Sequence, residues 1–201
     1  EGYIGAYPVA VPMVDMHTIG AGGGSIAYVD QGGMLQVGPR SAGADPGPAC
    51  YDLGGHHATV TDANLVLGRL VPGARLAGGL ELSVAKARNA VRALAQEIAL
   101  SVEETAAGII SIANEHMARA IREISVNRGY DPTDFVLASF GGAGGLHVCA
   151  LAEAMRMHQA LVPARGGVLS ALGMLMASRG RQLTRTLGVA IDGIEITALQ
   201  A

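Results

Sequence analysis

Apolar residues in the first third of the chain fall in short runs separated by turn-forming residues, a pattern that predicts strands. Met13–Ile19 and Ser25–Val29 read as two strands, and Met34–Val37 follows the turn "DQGG". Asp15, His17 and Ile19 are two residues apart and so share one face of the first predicted strand. A loop dense in glycine and proline follows, "GPRSAGADPGPACYDLGGHH". A loop this long in a compact domain is usually functional or disordered, and its Pro46, Pro48, Cys50 and Tyr51 argue for order.

The middle third switches to a helical period. "TDANLVLGRL" predicts a short helix capped at Thr61 or Asp62. Ala87, Val91, Leu94 and Ile98 recur at spacings of three and four and give the next helix one apolar face. Ser101 with Glu104 forms a capping box that opens a long helix, about Val102 to Arg128, and Gly129 is its natural terminator. The last third alternates. "DFVLASF" is a short, continuously apolar strand, Leu146–His158 a helix, "ALVP" a strand and "SALGMLMASRG" a helix. This order predicts an α/β protein with helices on the faces of a sheet.

Two glycine clusters interrupt the pattern. Gly20 and Gly22-Gly23-Gly24 lie between the first two predicted strands, and Gly141, Gly142, Gly144 and Gly145 join the buried strand to a helix that opens at His147. Glycine weakens a strand and is kept where another group approaches the backbone closely. Both loops can present main-chain N–H groups to an anion, and the second also feeds a helix N-terminus. A tight hairpin and close strand–helix packing explain them equally well one at a time. Neither is a P-loop, because no Lys-Ser/Thr follows.

Composition narrows the classes. Half of the 201 residues are apolar, 15% are charged and the net charge is −3, which gives no basic excess for nucleic acid. Five Tyr, two Phe and no Trp offer few stacking platforms. Cys50 and Cys149 form no CxxC pair, so a reducing, cytoplasmic setting is expected and a disulfide framework is not. No apolar run approaches the ~20 residues of a membrane span. The start "EGYIGAYPVAVPMVD" is neither a signal peptide nor an initiator sequence, and the chain is expected to be a piece of something longer.

Five stretches in order, "DMHTIGAGGGSIA", "VGPRSAGADPGPACY", "TVTDANLVLGRL", "FGGAGGLHVCALA" and "GVLSALGML", closely resemble the hydantoinase A/oxoprolinase family and cover roughly residues 11 to 188. The pairing of an early glycine hairpin with a later GGxGG loop is also similar to the second half of the actin/Hsp70/sugar-kinase ATPase fold. The resemblance implies an actin/Hsp70-like (ribonuclease H-like) lobe with a mixed β-sheet and helices on its faces. Residues 1–201 would be a single domain of this family, without the N-terminal phosphate-loop lobe. It implies ATP with Mg2+ or another divalent metal, phosphates at Gly22, Gly23, Gly24 and Ser25, and the adenosine end at Gly141, Gly142, Gly144, Gly145 and His147. The implied reaction is ATP-dependent opening of five-membered cyclic amides such as hydantoins or 5-oxoproline. Relatives that are subunits of acetone or acetophenone carboxylases make ketone carboxylation the second reading. A nucleotide-dependent module without small-molecule chemistry is a third. The expected partners are a cyclic amide, the N-terminal lobe and a hydantoinase B-type subunit, with neither nucleic acid nor membrane.

The sequence departs from these patterns at two places. Gly20 stands where the superfamily's hairpin motif has an Asp, and Gly166 where relatives often have Pro. Asp15 and His17, a carboxylate and an imidazole on one strand face, could bind a divalent metal or move a proton, or could serve only local hydrogen bonds. Asp45 is the third candidate for catalysis, although Asp-Pro is also a common turn former. Cys50 as a nucleophile lacks a neighbouring base, and a small buried cysteine is the commoner case.

Overall fold

The computed structural model describes residues 2–4, 7–9, 16–73, 75–178 and 180. The chain divides into two compact units, Asp15–Leu172 and residues 1–14 with 173–201. In the smaller unit, β1 (Gly2–Ile4) and β2 (Tyr7–Val9) form an antiparallel hairpin with Gly2 opposite Val9.

The larger unit starts from the antiparallel pair β3 (Ser25–Val29) and β4 (Leu35–Ser41), with Ala27 opposite Val37 and an irregularity between Ser25 and Ala27. β4 runs four residues past the predicted Val37. Ahead of β3, Met16–Ile19 are not in a strand, and residues 13–15 of the predicted strand lie outside the described residues.

Three helices cover this ladder. α1 (Val60–Val66) is capped by Thr59 rather than by Thr61 or Asp62: the Thr59 hydroxyl accepts the Asp62 N–H while the Asp62 carboxylate accepts the Thr59 N–H. The capping box therefore starts two residues before the position that cap preferences alone select. α2 (Val84–Glu97) buries Ala87, Ala90, Val91 and Ala95, small side chains that let it pack closely on its neighbours. α3 (Val102–Ile124) has the predicted box, Ser101 Oγ accepting from the Glu104 N–H at 3.1 Å and Glu104 Oε2 from the Ser101 N–H at 2.9 Å. It stops short of Arg128 because Ser125 leaves the helical region (φ −120°, ψ −81°). A 3-10 turn, Val126–Arg128, carries the chain to Gly129 at φ 84°, the expected terminator.

Between these layers lies the main core, including Val37, Val60, Ala63, Val91, Ile109 and Ile110. A second cluster joins Cys50, Leu65, Leu82 and Ala87 beneath the proline-rich loop.

The C-terminal part is a parallel β–α–β unit: β5 (Leu137–Ala138), α4 (Val148–Ala154) and β6 (Ala160–Leu161). Both α4 and its strand are shorter than expected. Pro132–Asp134 forms a 3-10 turn ahead of the strand, and α4 ends at Ala154, with Arg156 at φ 55° just beyond it, so the helix does not reach His158. α5 (Leu169–Met176) follows. The α/β class holds, but the described strands form three separate two-stranded ladders where one mixed sheet was expected.

Candidate functional site

The two glycine loops, more than a hundred residues apart in sequence, meet. A β-carbon placed on Gly23 would lie 3.8 Å from the β-carbon of Ala143 in the second loop. Around this contact is a cleft of about 500 Å³. Its polar backbone wall is Gly23, Gly24, Gly43 and Ala44, and Gly142 and Ala143 stand across from it. Tyr51, Leu70 and Leu76 supply an apolar side suited to the flat part of a ligand.

The first loop is fastened from below. Thr61 donates both its N–H and its hydroxyl to the Gly23 carbonyl, each at 2.9 Å. The Ala42 N–H donates to the Gly24 carbonyl at 2.8 Å, tying the turn to the proline-rich loop. Ser25 Oγ accepts the Gly22 N–H at 2.8 Å and donates to the Gly20 carbonyl at 3.1 Å. The carbonyls of Gly23 and Gly24 are thus engaged, while their N–H groups meet no acceptor among the described residues. Two unpaired N–H groups on a cleft wall are what an anion needs. There is no room for a side chain: a β-carbon on Gly23 would lie 2.8 Å from Thr61 Oγ1, and one on Gly24 2.8 Å from Ser41 Oγ.

Asp62 holds the proline-rich loop against α1. It is fully buried, and its carboxylate accepts the N–H groups of Ala49 (3.3 Å), Cys50 (2.7 Å) and Thr59 (2.9 Å) and the Thr59 hydroxyl (2.7 Å). Four donors on one carboxylate offset the cost of burying its charge. The Thr59-x-x-Asp62 spacing is the sequence signal for the local half of this arrangement; nothing local signals the bonds to Ala49 and Cys50. Burial and the neighbouring Asp62 carboxylate push the Cys50 thiol far above its ordinary range, so it stays protonated. A nucleophilic Cys50 is incompatible with that environment. Both Cys50 and Cys149 are free thiols.

The other candidates are distributed as follows. Gly22 and Ser25 are bonded to each other, and Ser25 is buried. Gly141, at φ 93°, donates its N–H to the Gly166 carbonyl at 2.9 Å. Gly144 belongs to a 3-10 turn closed tightly over Ser139, and Gly145 packs near Val162. His147 is buried, with Nδ1 2.7 Å from Asn114 Oδ1, so Nδ1 carries the proton. Among the described residues its Nε2 has no partner, and burial, with a smaller contribution from Arg69, lowers its pKa. It lines a smaller cavity of about 200 Å³ with Ser139 and Gly144. Asp45 is exposed, next to Ala44 of the cleft wall.

His17 lies elsewhere: it lines a different cleft with His116 and Arg119. Asp15 is outside the described residues. Among the described residues no group of three or more His, Cys, Asp or Glu side chains could hold a metal ion, and no helix is long and apolar enough to cross a membrane.

Comparison with known proteins places the chain in a family. The hydantoinase/oxoprolinase family model matches residues 1–182. The alpha subunit of a caprolactamase from Pseudomonas jessenii is 50% identical over 188 residues, which cover 92% of this chain and 27% of that subunit. The gamma subunit of an acetophenone carboxylase from Aromatoleum aromaticum is 49% identical over 150 residues, 74% of this chain and 20% of that one. The crystal structure of the ATP-dependent caprolactamase from Pseudomonas jessenii superimposes with a TM-score of 0.76 at 51% identity, over 83% of this chain and 24% of its own. The chain thus spans between 13% and 27% of the length of the curated relatives it matches.

Proposed function

The chain belongs to the hydantoinase/oxoprolinase family, and from that membership we propose that it is part of an ATP-dependent enzyme that opens five-membered cyclic amides, hydantoins or 5-oxoproline. The observation that carries this reading is the cleft where the two glycine loops meet, with the Gly23 and Gly24 N–H groups unpaired on its wall.

ATP lies with its phosphates along Gly22–Ser25, held by the free N–H groups of Gly23 and Gly24, and with its adenosine end toward Gly141–Gly145 and the apolar side formed by Tyr51, Leu70 and Leu76. The amide carbonyl oxygen attacks the γ-phosphorus and ADP leaves. Water then adds to the activated carbon, the C–N bond breaks with a proton passing to nitrogen, and a second water releases phosphate from the resulting acyl phosphate. The role left to the protein is placement and charge stabilisation, as in other phosphoryl transfers. No thiol is needed, which accords with the protonated Cys50.

Mg2+ bound to nucleotide ordinarily takes one or two carboxylates besides the phosphates. Asp45 fits that modest requirement, being exposed and next to the cleft wall. The described residues do not assign a metal to His17. A second lobe and a hydantoinase B-type subunit complete the active assembly in this reading. Ketone carboxylation is the second reading, favoured by the likeness to the acetophenone carboxylase gamma subunit.

The test is phosphate release from ATP by the full-length protein with its partner subunit, supplied in turn with 5-oxoproline, a hydantoin, and acetone with bicarbonate. Release stimulated by a cyclic amide, with ring-opened product in matching amount, is expected. Stimulation by ketone and bicarbonate alone would assign the chain to the carboxylase branch, and no stimulation by any of them would leave a nucleotide-dependent module.

A further inference from the structure

One turn serves two clefts. Gly23 and Gly24 line the glycine cleft, whereas Gly20 and Ala21, three residues earlier, line a separate cleft of about 410 Å³. Its other walls are the face of α3 that carries His116, Arg119 and Glu123, and the β3–β4 hairpin at Tyr28 and Gln36; His17 lies at its edge of the turn. The α3 residues follow one another at spacings of three and four, so they project on one side of the helix.

The charges in this cleft are unevenly matched. Arg122, the next arginine on α3, is paired with Glu115 at 3.2 Å. Glu123 accepts from Asn127 Nδ2 at 2.7 Å. Gln36 Nε2 donates to Asp30 at 3.0 Å. Among the described residues, Arg119 has neither an ion pair nor a hydrogen bond, and the imidazoles of His17 and His116 are likewise without partners. An acid three or four residues away on a helix is within reach of an arginine. Here both neighbouring acids are engaged elsewhere. A guanidinium whose donors meet no acceptor among the described residues, in one concave site with two imidazoles, is suited to a carboxylate or a phosphoryl group, which it can bind through two parallel N–H bonds.

We propose that this cleft is a second small-molecule site, distinct from the glycine cleft, which binds the oxyanion of its ligand on Arg119 with His17 and His116 beside it. The oxyanion is a carboxylate on an incoming ring or a phosphate on its way out. Glu123 at the same wall favours a ligand that also carries an N–H donor. The inference stands on this cleft's own residues and does not require nucleotide in the other.

The experiment is calorimetric titration of the full-length protein, saturated with a non-hydrolysable ATP analogue, with 5-oxoproline in one arm and inorganic phosphate in the other. Arg119→Ala and Arg119→Lys are titrated in parallel, and thermal melting establishes that both are folded. Saturable binding of at least one probe is expected, weakened about tenfold or more in Arg119→Ala and partly restored in Arg119→Lys, with analogue affinity changed less than about twofold. The arm that responds identifies the source of the oxyanion. Absence of saturable binding in both arms, or equal binding by wild type and Arg119→Ala, would overturn the proposal. A matching loss of analogue affinity in Arg119→Ala would also overturn it, since the two clefts would then be one site. Failure of the analogue to bind wild type counts against the nucleotide reading alone, because the Arg119 comparison is still read.

Discussion

The Asp62 carboxylate accepts the main-chain N–H of Cys50, twelve residues earlier, at 2.7 Å, and through that bond a helix N-terminus fixes the course of the proline-rich loop. The same carboxylate caps α1 from within, and α1 in turn holds the Gly23 carbonyl through Thr61. The shape of the glycine cleft therefore depends on a residue that lines none of it. Asp62→Ala leaves three N–H groups and a hydroxyl without their acceptor in a buried place, and the expected cost is about 3 kcal/mol or more. Asp62→Asn keeps one acceptor oxygen and should cost about half as much. Urea unfolding measures both; a change below about 0.5 kcal/mol in Asp62→Ala would show that the loop finds other partners.

Cys50 and Cys149 should differ sharply in reactivity. Burial and the nearby Asp62 keep Cys50 a thiol, and Cys149 is exposed. Iodoacetamide at pH 8 is expected to label Cys149 in the native protein and Cys50 only after denaturation. Cys50→Ala should retain amide-stimulated ATP turnover within a few-fold. Loss of turnover in a folded Cys50→Ala protein would restore a chemical role for the thiol.

Glycine substitutions separate folding from ligand approach. A β-carbon on Gly22 meets nothing within 4 Å, whereas one on Gly23 comes within 2.8 Å of Thr61 Oγ1. Gly22→Ala should fold with nearly unchanged stability. Gly23→Ala should lose about 1–3 kcal/mol of stability and about tenfold in ATP affinity, as the added methyl shifts the loop. If Gly22→Ala weakens ATP more than Gly23→Ala does, the phosphates lie on the other side of the turn.

His147 predicts a dependence of stability on pH. Burial first, and Arg69 second, hold its pKa below the ordinary 6.5. The unfolded chain then takes up a proton that the native protein refuses, so the contribution is complete above about 6.5 and is lost as pH falls below it toward the native value. His57, lowered by burial and by His56 and Arg40, adds in the same direction. The exposed carboxylates with lowered pKa, such as Glu103 and Glu104, lose their contributions at lower pH. The fall in Tm between pH 7.5 and 5.5 should therefore be shallower in His147→Gln, with His57→Gln as the comparison. An unchanged slope in His147→Gln would mean that His147 takes up its proton freely in the native protein.

Local signals were legible in the sequence, and long-range ones mostly were not. The Ser101–Glu104 box, Gly129 and the apolar face of α2 each depend on residues within one or two turns; the box and the terminator stand where the sequence puts them, and of the predicted α2 face Ala87 and Val91 are buried while Leu94 and Ile98 are half-buried. Cap preferences alone set the start of α1 two residues late, because Thr59, Thr61 and Asp62 are all good caps and tertiary bonds from Asp62 to the loop decide among them. β4 continues to Ser41 because pairing with Ser25 extends a ladder whose local sequence, with Gly38 and Pro39, argues for a loop. A shared strand face for Asp15 and His17 followed from a strand that the described part of that segment does not form. The identity of the glycine loops as two walls of one site came from the family's motifs, since neither loop specifies the other. Arg119 reads as one more surface charge until the partners of Glu115 and Glu123 are known.

The most direct test of the central claim is the structure of the full-length protein with a non-hydrolysable ATP analogue. The account predicts phosphate oxygens within hydrogen-bond distance of the Gly23 and Gly24 N–H groups, and the adenosine against Gly142 and Ala143. Nucleotide bound away from the junction of the two glycine loops, for instance in the cleft of His17 and Arg119, would contradict it.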